Sequence, residues 1–187
     1  DIYDMIASSD ASQDLTLLTQ NATMDEQERE EFLAHFSESP TTTTVGLCVL
    51  GGIFSEGIDL KAERLIGAVI VGTGLPMVCN ENELYRQFFD GEISSFSTGS
   101  ENDEATIRNT RHGFSYAYQY PGMNKVLQAA GRVIRTEQDY GCILLLDDRF
   151  LQGSYQSLFP REWFPHYTVT PETMTEHLLK FWEAHST

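Results

Sequence analysis

Three short runs of β-branched or apolar residues constrain this chain more than any other feature: 41–50 (TTTTVGLCVL), 65–71 (LIGAVIV) and 142–146 (CILLL). Each is too short for a buried helix and is followed by glycine or aspartate, as strands are before a turn. Residues with helical spacing lie around them, at 24–37, 81–89, 122–136 and 170–184. Thr23-Met24-Asp25-Glu26 has the form of a capping box, and Thr170-Pro171 pairs a cap with proline at the first helical position. Continuous apolar strands separated by helices predict an α/β fold, a parallel sheet with helices on both faces. Ligands gather at the carboxyl ends of such strands, where the loops at 51–59 and 72–76 begin.

No repeat, low-complexity tract or long linker interrupts the 187 residues, so 1–187 reads as a single domain with a polar, mobile excursion at about 90–110. Apolar residues make up 41%, enough for a core without disulfides. Cys48, Cys79 and Cys142 are odd in number and far apart, and no CxxC or HxxxH pair is present. They read as buried thiols in a reducing compartment, with no metal site. Without a leader or an apolar run approaching about 18 residues, a soluble, cytoplasmic protein with no membrane partner is expected.

Charge is unevenly placed. The chain has 28 acidic and 12 basic residues, yet 105–135 holds Arg108, Arg111, Lys125, Arg132 and Arg135 and no acid. On a helix, Gln128, Arg132 and Arg135 (i, i+4, i+7) fall within about 60° of one another, with Val126, Ala130 and Val133 near the opposite side. Such a face offers an amide and two forked cations suited to phosphate oxygens. A solvated polar face is the plain alternative. The chain has no GxxxxGK[ST] loop and no plausible magnesium-binding pair of acids at a strand end, so a triphosphate met by these arginines must be held by something else.

The stretch QAAGRVIRTEQDYG (128–141) closely resembles the sixth motif of the iron–sulfur helicases of superfamily two, the group containing XPD and the bacterial DinG proteins. GGIFSEGIDL (51–60) resembles the fifth motif, LIGAVIVGTGLPMV (65–78) the strand and loop after it, and YAYQYPGMNKVLQAAGRVIR (116–135) favours the DinG-like branch. The resemblance implies a RecA-like second motor domain, truncated at its N-terminus, from an ATP-dependent DNA helicase. ATP and Mg2+ would be held mainly by a first motor domain, and any iron–sulfur cluster would lie outside this chain. Matching the motifs makes Arg132 and Arg135 arginine fingers and Gln128 the sensor of the terminal phosphate or attacking water. Gly57, Asp59 and Glu56 would bind or couple the nucleotide, while Ser55, Gly52 and Arg111 would touch single-stranded DNA. The fragment alone is expected to be inactive. The competing expectation is a non-catalytic DNA- or protein-binding module derived from a helicase. Phe159, Trp163, Phe164 and Trp182 read as residues that seal the sheet.

Overall fold

The structure, a computed structural model, describes residues 2–38, 40–54, 60, 64–96 and 112–185. It comprises two compact units, Asp1–Asp147 and Asp148–Thr187. In chain order the first unit carries helix α1 (Ile2–Ala7), strand β1 (Leu15–Thr19), α2 (Glu26–Ala34), β2 (Thr43–Leu47), β3 (Gly67–Val71), α3 (Asn80–Phe96), α4 (Tyr120–Ala130) and β4 (Cys142–Leu146). The strands pair in parallel, β1 with β2 (Leu17 opposite Val45) and β3 with β4 (Val69 opposite Leu144). The fold is α/β, with parallel strands and intervening helices as the apolar runs predict.

Several boundaries differ from expectation, each for a local reason. The capping box of α2 is built by Asp25 and Glu28: Glu28 N donates to Asp25 Oδ1 and Asp25 N to Glu28 Oε2, both at 2.9 Å. Thr23 does not cap, because Asn21 Oδ1 takes its amide and hydroxyl, both at 3.2 Å. Strand β2 stops at Leu47, which leaves Cys48 exposed where a buried thiol was expected. Helix α3 runs through Phe96, past the expected start of the polar excursion. Phe89, Ile93 and Phe96 continue its helical spacing, and Asp90 is engaged on both sides as described below. Residues 97–111, the rest of that excursion, lie outside the described residues.

The segment expected to become helical at 122 already coils from residue 113. Within it, Ser115–Gln119 forms a π turn in which Tyr120 N reaches back to Ser115 O. Pro121 explains the widening: it has no N–H, and its ring would press on a carbonyl in the preceding turn of a regular helix.

The apolar back of α4 forms the core of this unit. Met123, Val126 and Ala130 are at most 1% exposed, and Val133 just beyond the helix is 3% exposed. Burying a side chain of this size contributes about 1.5–3 kcal/mol. A second cluster joins α2 to the loop after β2, with Phe32 stacked on Phe54 at 4.4 Å and tilted against Phe36 at 5.8 Å.

The second unit contains α5 (Gly153–Gln156) and α6 (Pro171–His185). Phe159 contacts Phe150 at 6.3 Å and Trp163 at 5.2 Å, while Phe150 meets Tyr155 edge-on at 6.3 Å. Phe159, Trp163 and Phe164 thus serve a ring cluster within this unit.

Candidate functional site

Helix α4 ends at Ala130, so Gln128 alone of the three phosphate-facing candidates is helical. The expected helix to residue 136, with Gln128, Arg132 and Arg135 on one face, is corrected. Gly131 N still bonds Leu127 O at 2.9 Å, but Arg132 N reaches Ala129 O (3.2 Å) and Val133 N reaches Ala130 O (3.1 Å), a tightened last turn. Glycine costs about 1 kcal/mol in a helix interior, and β-branched Val133, Ile134 and Thr136 follow it. A stronger competitor then takes the backbone. Asp139 Oδ2 accepts from Arg135 N at 2.9 Å and Thr136 N at 2.8 Å. Arg135 therefore leaves a turn capped by Asp139 and Arg132 the tightened end of the helix, both half-buried, while Gln128 is exposed in the helix's last turn. The signal for Asp139 was its place four residues after Arg135.

This turn sits at the amino ends of β3 and β4. Cys142 N bonds Ile66 O at 3.0 Å, and a Cβ on Gly141 would meet Ile66 O at 2.7 Å and also collide with Val133 Cγ1. The other end of α4 lies against the loops at the carboxyl ends of the strands. A Cβ on Gly122 would stand 2.6 Å from Thr73 O, and one on Gly74 would stand 2.9 Å from Gly122 O. Lys125 crosses Gly51 in the loop after β2, its Cδ 2.8 Å from where a side chain there would begin. Gly51 (φ +79°) and Gly74 (φ +64°) have backbones that favour glycine. Gly52, a DNA-contact candidate, is fixed by its N–H to Val49 O at 2.8 Å, while Gln20 Oε1 accepts from Val49 N at 2.9 Å. Thus the loop of Gly51 and Gly52 lies beside Lys125 in the middle of α4, Gln128 in its last turn, and the arginines beyond its end. At about 1.5 Å per residue, Lys125 and Ala130 are about 8 Å apart along the axis.

A polar clamp fixes the π turn that leads into α4. Tyr118, 4% exposed, donates to Glu83 Oε1 at 2.7 Å. Arg86 bonds Glu83 Oε2 at 2.9 Å and pairs with Asp90 at 3.5 Å, and Asp90 Oδ1 accepts from Gly113 N at 2.9 Å. The bonds from Arg86 and Tyr118 hold the Glu83 carboxyl below the usual range. Chiefly through its bond to Glu83, the Tyr118 hydroxyl is pushed up to about 12. Residue type alone gives Glu83, Arg86 and Asp90 no role; their i, i+3, i+7 spacing was the available signal.

The remaining candidates, Ser55, Glu56, Gly57, Asp59 and Arg111, lie outside the described residues. Among the described residues, no group of three His, Cys, Asp or Glu side chains is placed to hold a metal ion. No helix among them is long and apolar enough to cross a membrane.

The sequence profile of the family described as helicase C-terminal domain matches residues 1–166. The regulator of telomere elongation helicase 1 homolog of Oryza sativa subsp. japonica is 35% identical over 128 residues, covering 68% of this chain and 12% of that protein. The ATP-dependent DNA helicase chl1 of Aspergillus clavatus is 30% identical over 145 residues, covering 74% of this chain and 19% of its own length. A solved XPD helicase structure superposes with a TM-score of 0.54 at 18% identity, over 81% of this chain and 24% of that one. The chain thus spans between 12% and 24% of these three proteins.

Proposed function

Because the chain belongs to the helicase C-terminal domain family, of the XPD and DinG type, we propose that it is the second motor half of an ATP-dependent DNA helicase. In this reading ATP lies between it and a first motor domain of the same protein, which holds Mg2+ and any iron–sulfur cluster. Arg132 and Arg135 approach the terminal phosphate from the capped turn, and Gln128 senses that phosphate or the attacking water. Charge on the transferred group is stabilised by forked donors that cannot lose their own charge. Gly57, Asp59 and Glu56 couple the nucleotide to closure, and Ser55, Gly52 and Arg111 follow single-stranded DNA.

The observation that carries this reading is the capped turn. Arg135 leaves a backbone pinned by Asp139, three residues after Arg132 in the tightened end of the helix, and such preorganisation matters when an arginine must meet a phosphate held elsewhere. The test is Arg135→Ala in the full-length protein. DNA-stimulated ATP turnover is expected to fall by about 10³, the scale on which arginine fingers act, with thermal unfolding unchanged. Turnover at the wild-type rate would remove the assignment.

A further inference from the structure

We propose that Lys125 is a contact for a backbone phosphate of single-stranded DNA, an assignment that rests on reading the chain as half of a DNA motor. Its stem bridges the two carboxyl-end loops: Cβ is 3.5 Å from where a side chain on Gly74 would begin, and Cδ and Cε are 2.8 and 3.1 Å from the same point on Gly51. The methylenes therefore occupy space that any other residue at Gly51 would need, and they hold the stem on the loop that carries Gly52. Lys125 is half-buried, and among the described residues its ammonium makes no hydrogen bond or ion pair. Among the described residues, this cation is tethered along its stem and given no carboxylate, an arrangement that suits an anion from outside. A compact ammonium suits a single phosphate oxygen, where the forked arginines at the far end of α4 suit a terminal phosphoryl group. Its place on the loop that carries Gly52, the DNA-contact candidate, assigns Lys125 to the polynucleotide and not to the nucleotide.

The substitution Lys125→Met keeps the hydrocarbon over Gly51 and removes the charge, Lys125→Gln does so with a polar end, and Lys125→Arg restores the charge. In the full-length protein, binding to a fluorescent oligothymidylate is measured across a salt series, alongside binding of a non-hydrolysable ATP analogue. Loss of one phosphate contact is expected to weaken oligonucleotide binding several-fold at low salt and to reduce the slope of log K against log salt by about 0.7. Both effects should appear in Lys125→Met and Lys125→Gln and be reversed in Lys125→Arg, with analogue affinity unchanged. Unchanged DNA affinity and slope in the two neutral variants would overturn the assignment while leaving the motor reading standing. A loss confined to the analogue would also overturn it, moving Lys125 to the nucleotide. A wild-type protein that binds no oligonucleotide would sink the DNA reading and this assignment together.

Discussion

Asp139 illustrates what a single side chain decides in this molecule. Its Oδ2 takes the amides of both Arg135 and Thr136, so it fixes the backbone from which Arg135 departs. Hydrogen bonds to a charged group contribute about 1.5–3 kcal/mol when well shielded, and this half-buried carboxylate belongs near the lower end. Asp139→Ala in the full-length protein should lower the unfolding midpoint and also reduce ATP turnover beyond what lost folded protein explains. Asp139→Asn, which keeps one carbonyl acceptor, should fall between. Denaturant titration with turnover on the same samples checks this; destabilisation with turnover intact would mean that the turn does not place the arginines. Gln128, Arg132 and Arg135 were singled out by residue type and by a helical spacing that the structure does not keep. Their backbone was not legible, because the helical spacing runs on past Gly131 and only an account of the amides after residue 131 points to Asp139.

At the scale of elements, the apolar runs were legible because strands with no polar side announce themselves, and β4 was read at its observed bounds (Cys142–Leu146). Strand β1 was missed: LTLLT is five residues long, mixes threonine with leucine, and follows an acidic stretch that reads as surface. The π turn was hidden for a different reason, since it depends on Pro121 entering a helix that other contacts sustain. Those contacts include the clamp of Glu83, Arg86 and Asp90 on Tyr118 and Gly113, which makes a pH prediction possible. Glu83 is lowered from 4.5, so its contribution is present above that value and lost as pH falls through the folded one. Tyr118 is raised from 10.0 to about 12, so its neutral, donating form contributes below 10.0 and the contribution is lost as pH rises through about 12. The stability difference between wild type and Glu83→Gln should therefore be flat in the intervening window and shrink on both sides. Urea unfolding midpoints across pH measure it, and a difference that stays constant well below 4.5 would contradict the role given to Glu83.

For the whole molecule, the proposed reading turns on an ATP site shared with a first motor domain, to which this chain would bring the arginines. Its matched relatives are several times longer. The family was legible because the stretches at 51–60 and 128–141 are specific in residue type and order. The packing of α4 against the Gly51 and Gly74 loops was not, because chain order fixes the end of the strand at which a loop falls but not which helix lies against it. The measurement that tests the central claim most directly is DNA-stimulated ATP hydrolysis by this chain alone, by the first motor domain alone, and by the two mixed. Turnover is expected only in the mixture, and its loss when the added chain carries Arg135→Ala; turnover by this chain alone, or none from two folded and associated halves, would contradict a shared site.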